Sequence, residues 1–226
     1  MASLYTSPSV RSVSDAIADP YSPTSLSGRA RGRRWAMFRE RFPEHKEMRI
    51  LDLGGTVSAW RGAPVSPRQV VTLNLKPEDS DLDWVVPTVG DACNPPSELA
   101  GERFDLVFSN SVIEHVGGHA RRAGFANTVY TFGDRHWVQT PYRYFPLEPH
   151  WLFPGFQFLP LKARARVMCN WPIGAYTRTH DFDSAVSSAL MIELVSETSM
   201  RHYFPDSEIL QERILGLTKS LIAVRD

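Results

Sequence analysis

The chain has 226 residues, 42% of them hydrophobic, and equal numbers of basic and acidic residues at 25 each. That length holds one substantial α/β core and leaves little room for two full domains. The absence of basic excess argues against a nucleic-acid partner, which would ask for cations to meet phosphates. No apolar run approaches the ~20 residues that a membrane helix needs, so no membrane partner is expected. Cys93 and Cys169, the two cysteines, share no metal-ligand spacing and read as reduced thiols of a cytoplasmic protein.

Residues 1–25 are rich in Ser and Pro, lack the apolar segment of a secretory signal and read as a flexible leader. Residues 26–226 are expected to form a single domain. It begins with a basic stretch from Gly28 to Phe42, in which Trp35, Phe38 and Phe42 fall at helical spacing. An amphipathic helix with arginines on its wet side follows from that spacing. Arg49 to Leu53 is a short apolar run ending at Gly54-Gly55, the pattern of a buried strand entering a tight turn. Further strands are expected at Val70 to Leu75, Trp84 to Val89, Phe104 to Phe108 and His136 to Thr140. Their alternation with helical segments predicts a mostly parallel sheet covered on both faces. Ser207 to Gly216 and Lys219 to Arg225 flank a short Gly-containing connection and read as a β-hairpin. An apolar helix is expected around Ala185 to Val195.

The chemistry concentrates after the first strand. Glycines there let the backbone turn sharply and come close to a ligand, because no Cβ intervenes. Asn74 follows Gly54 by 20 residues, about the offset at which dinucleotide folds place a ribose ligand. Gly90-Asp91-Ala92 closes the third strand, and the run from Phe104 through Ser109 and Asn110 to Val116 is a strand expected to lead into a helix.

In these motifs the chain resembles the class I S-adenosylmethionine-dependent methyltransferases over roughly residues 48–225. The resemblance implies a Rossmann-like, seven-stranded, mostly parallel sheet with a C-terminal hairpin at its edge. It also implies a cofactor, S-adenosyl-L-methionine, held by Asp52, Gly54 and Gly55 at its amino-acid part and by Asn74 at the ribose. Asp91 and Ala92 would border the adenine, and Ser109 and Asn110 the methyl group. Two departures stand out: Thr56 and Ser58 replace later glycines, and Asn74 stands where the family carries an acid. The missing third glycine argues against a pyrophosphate cofactor.

The run from Thr140 to Gly155 is crowded with prolines and aromatics, which suits a stiff concave wall. We expect residues 140–182 to form a substrate cap, with Tyr142, Arg143 and Tyr144 contacting the acceptor. Deprotonating an alcohol during methyl transfer needs a base, for which His is best matched. Candidates are His150 and Glu148, which bracket a proline, and His115, which follows Glu114 in the expected helix. A divalent cation such as Mg could be held by Asp91, Glu114 and Glu148, although no ligand cluster with a compelling spacing supports a metal site. The run Thr140 to His150 resembles actinobacterial sugar O-methyltransferases of the methylmannose polysaccharide type. It implies O-methylation of a small-molecule or oligosaccharide hydroxyl. An N- or C-methyltransferase, or a non-catalytic S-adenosylmethionine-binding scaffold, are alternatives. The insertion from Trp171 to His180 would roof the acceptor site or contact a second subunit in a homodimer.

Overall fold

The computed structural model describes residues 25–173 and 178–226. The leader expected over residues 1–25 lies, apart from Ser25, outside the described residues, as do residues 174–177 of the insertion. The described residues divide into two compact units: residues 38–145 with 188–226, and residues 25–37 with 146–173 and 178–187.

The larger unit is built on strands β1 (Arg49–Leu53), β2 (Gln69–Asn74), β3 (Val85–Val89), β4 (Leu106–Asn110), β5 (His136–Pro141), β8 (Glu208–Ile214) and β9 (Leu217–Arg225). Among the described residues they form one seven-stranded sheet in the order β3-β2-β1-β4-β5-β9-β8. The first five are parallel, and β9 runs antiparallel to both β5 and β8. The Rossmann-like expectation with a terminal hairpin at the edge is met. The hairpin forms because Leu215 and Gly216, both at positive φ, supply the turn that matches strand twist.

Each central strand is apolar on both sides because both faces are covered. On one face Leu51, Leu53, Val71, Leu73, Val107 and Val138 pack with Phe125 and Val129 of a helix, His119–Phe132. On the other, Phe38 and Phe42 approach Trp137 with ring centroids 5.5 and 6.3 Å away, and Phe38 also meets Phe108 at 5.7 Å. Phe38 lies in the last turn of helix α1 (Leu26–Arg41) and Phe42 directly follows it, so a helix forms over the basic stretch as expected. Each such buried side chain contributes on the order of 2 kcal/mol.

The smaller unit carries two short antiparallel strands, β6 (Leu147–Glu148) and β7 (Phe153–Pro154). Gly155, at φ +69°, turns back to donate its N–H to Pro146 O at 2.8 Å. Trp151 and Phe156 stack at 5.4 Å beneath this turn. A helix follows over Leu161–Asn170. The apolar helix expected at 185–195 instead spans Phe182–Leu190. Asp181 caps its start through Ser184 N–H, and residues 191–196 leave the helix, with Val195 bridging to Tyr142 inside the larger unit.

Candidate active site

From β1 the chain runs outward through β2 to β3, and then crosses back to β4 on the other side of β1. This makes the gap between the carboxyl ends of β1 and β4 the topological switch point, where open α/β sheets bind ligands. Gly54 and Gly55 lie at one side of it and Ser109 and Asn110 at the other. Gly54 sits at φ +78°, and a Cβ on it would fall 2.4 Å from Val112 Cγ2. A Cβ on Gly55 would collide with the Asp52 carboxylate. Only glycine lets the turn come this close.

The expected site residues of this unit gather on that rim, though several reach each other rather than open space. The Asp52 carboxylate is buried and accepts the Trp60 indole N–H at 2.7 Å. Trp60 in turn packs on Phe108 and Trp84. Burial pushes the Asp52 carboxyl up to about 8, against a smaller lowering by the indole bond. Ser109 is buried and donates its hydroxyl to Leu53 O at 2.9 Å, fixing the tip of β1 against β4. Asn74 donates its side-chain amide to Gly54 O and Gly55 O at 3.3 and 3.0 Å. Ala92 is buried in the core beneath the third strand's tip. Asp91 forms a two-pronged pair with Arg121, at 2.6 and 2.9 Å, and accepts the Cys93 N–H. Burial works to raise the Asp91 carboxyl, but the Arg121 and Cys93 bonds outweigh it and hold it below its usual value.

Past β4 the expected helix does not begin. Ser111 takes φ +59°, held by its N–H to Gln139 O at 2.9 Å and by its hydroxyl to Gln139 Oε1 at 3.0 Å. Residues 113–115 form a turn, and Gly117 at φ +97° delays the helix to His119. His115 is therefore an exposed turn residue, its Nε2 4.0 Å from the buried Glu114 carboxylate, which accepts the Thr140 hydroxyl at 2.9 Å. Beyond β5, Tyr142 and Tyr144 meet edge to face at 5.5 Å, and the Arg143 N–H is bound to Val195 O. Burial, with Glu197 and Tyr144 nearby, raises the Tyr142 phenol.

In the smaller unit Glu148 is buried and accepts three bonds: His150 N–H at 2.8 Å, His150 Nδ1 at 2.8 Å and Trp151 N–H at 2.6 Å. The proline at 149 turns the chain so that a carboxylate two residues back can grip the ring. With Nδ1–H given to the carboxylate, the neutral ring carries its lone pair on Nε2, the arrangement of an oriented general base. Both Glu148 oxygens are thus engaged by N–H donors, and Asp91 by a guanidinium. Neither is presented as a hard-cation ligand.

Sequence reasoning missed Trp60, Arg121 and Gln139, whose polar atoms reach the rim from 8, 30 and 28 residues away. It also missed Glu78, whose carboxylate accepts Val57 N–H at 2.9 Å at the start of helix α2 (Val57–Arg61). No local signal marked these residues.

This sheet order, with its final antiparallel strand, defines the Rossmann-like fold of class I methyltransferases. A cyclopropane-fatty-acyl-phospholipid synthase-like protein from Lactobacillus casei superposes with a TM-score of 0.52 at 11% identity, over 90% of this chain and 77% of that one. Magnesium protoporphyrin IX methyltransferase from Synechocystis PCC 6803, with bound S-adenosylhomocysteine, gives 0.51 at 11% identity, over 87% and 84%. The N-methyltransferase NodS from Bradyrhizobium japonicum gives 0.51 at 11%, over 86% and 94%. The chain matches no family model and no curated protein. At such identities the likeness is one of fold.

Proposed function

We propose that the protein transfers a methyl group from S-adenosyl-L-methionine to a hydroxyl of a sugar or related small molecule. The observation that carries this reading is the character of the glycine turn at the switch point. A pyrophosphate would need the helix N–H groups after that turn, yet Glu78 takes Val57 N–H and the Thr56 hydroxyl takes Ala59 N–H. With the Glu78 carboxylate at that helix start and its N–H groups already taken, the turn disfavours phosphate and suits a cationic nucleoside. Asp52, Gly54 and Gly55 would hold its amino-acid part, with Asn74 bracing that turn at the ribose end. Asp91 and Ala92 would border the adenine, and Ser109 and Asn110 the reacting end. Bound there, the cofactor supplies a methyl group activated on a sulfonium.

Tyr142 and Tyr144 would offer faces for a sugar ring and Arg143 a donor. His150 would take the acceptor hydroxyl proton on Nε2, and Glu148 would stabilise the resulting imidazolium through Nδ1. Tritiated methyl transfer to a library of sugars tests this. Label should enter as an ether, unaffected by chelator, and His150→Ala should slow it by about 10²- to 10⁴-fold. Label appearing on amines, with His150→Ala at full rate, would replace the oxygen acceptor with nitrogen. Absence of binding by S-adenosylhomocysteine at millimolar concentration would end the reading.

A further inference from the structure

Asn74 occupies a junction. Its backbone O accepts Gly90 N–H at 2.8 Å, and Leu73 O beside it accepts Gly54 N–H at 2.8 Å. Its side-chain Nδ2 reaches Gly54 O at 3.3 Å and Gly55 O at 3.0 Å, while Oδ1 accepts Lys76 N–H at 3.3 Å. Both amide hydrogens are therefore directed at carbonyls of the glycine turn. The register Leu53 opposite Leu73 places Asn74, the last residue of β2, beside Gly54, the residue after β1, which is why so short a side chain suffices. A carboxylate at this position could not make these bonds, since it has no hydrogen to give and would face two carbonyl oxygens.

We propose that Asn74 is a positioning residue: it latches the Gly54-Gly55 turn in its binding conformation and does not read the ribose hydroxyls. This rests on the function proposed above, but its first readout needs no ligand. Gly54 and Gly55 are the most permissive residues in the rim, and two carbonyls pinned by one amide remove much of that freedom before binding.

Amide hydrogen exchange on the ligand-free protein comes first. In Asn74→Ala, Gly55 and Thr56 should exchange about 10-fold faster, while the β1 and β4 amides stay within about 2-fold of wild type. Uniform acceleration throughout the sheet, or no acceleration at Gly55 and Thr56, overturns the latch. Calorimetry with S-adenosylhomocysteine and its 2′-deoxy analogue comes second. The latch predicts the affinity order Asn over Ala over Asp, with Asn74→Asp weakened about 10-fold or more. It also predicts that wild type binds the deoxy analogue within about 3-fold of the ribo compound. Lowering the pH should rescue Asn74→Asp, because a protonated carboxyl regains a hydrogen to donate. A ribose-reading residue gives the opposite: Asp equal to or better than Asn, and a large penalty for the deoxy analogue. Should wild type bind neither nucleoside, the functional reading fails, while the exchange data still decide the latch.

Discussion

The two ends of the larger unit's sheet are built from different chemistry. At the amino ends, charged side chains pair at the surface: Arg49 with Glu102, Arg68 with Asp105, Arg103 with Asp134, and Arg135 with Glu44. At the carboxyl ends, Ser109, Asn74 and Gln139 tie strand tips together by hydrogen bonds, and the carboxyl of Asp52 lies buried. Exposed pairs can be exchanged at little cost, because water solvates both partners once they separate. The carboxyl rim has no such slack. The geometry of the carboxyl rim is held by donors matched to backbone carbonyls, whereas the opposite end carries charge pairs that water can solvate.

The largest break should come at the turn itself. Gly54→Ala adds a Cβ 2.4 Å from Val112 Cγ2 at a φ that alanine resists. We expect a loss of about 3 kcal/mol in chemical denaturation and loss of nucleoside binding. Adding Val112→Ala should recover the steric part only, leaving the cost of the left-handed backbone. Full recovery would mean that φ carries no strain.

Next is the pH dependence of stability. The Asp52 carboxyl, ordinarily 3.8, stands at about 8 in the folded state. Between those values the native protein holds a proton that the unfolded chain has released, so stability falls as pH rises from about 4 to about 8. His136 acts in the opposite sense. Burial, helped by Arg225, lowers it from 6.5 to about 4, so its contribution is complete above 6.5 and is lost as pH falls toward 4. From pH 6.5 to 8 only Asp52 acts of the two. Asp52→Asn, which retains the shape beside Gly55, should flatten the melting temperature across that interval and raise it at pH 8. A slope identical to wild type there would show that Asp52 is already ionised.

The smallest effect belongs to the amino ends. Arg103→Met should cost less than about 1 kcal/mol, less still in high salt, and leave nucleoside affinity unchanged. A clear fall in affinity would erase the distinction between the two ends.

Much of this architecture was legible in the residues. Runs such as Arg49 to Leu53 and Val70 to Leu75 read as strands because both of their faces are apolar, and the Gly-Gly pair announced the turn. Asn74 and Ser109 lie at the carboxyl ends of β2 and β4. The expectation of a helix directly after Asn110 failed because Ser111 adopts a left-handed conformation stabilised by Gln139, a partner on the next strand.

From the amino-acid order alone came the layered sheet, the terminal hairpin and the glycine bend, because each depends on neighbours a few positions away. Folding in three dimensions decided which polar atom meets which. Asn74 faces Gly55 O, Arg121 faces Asp91 and Glu78 faces Val57 N–H only because strand register and crossover direction bring distant segments within 3 Å or so. Side-chain hydrogen bonds are short and directional, so the linear pattern shows which residues are polar but not where their hydrogens point.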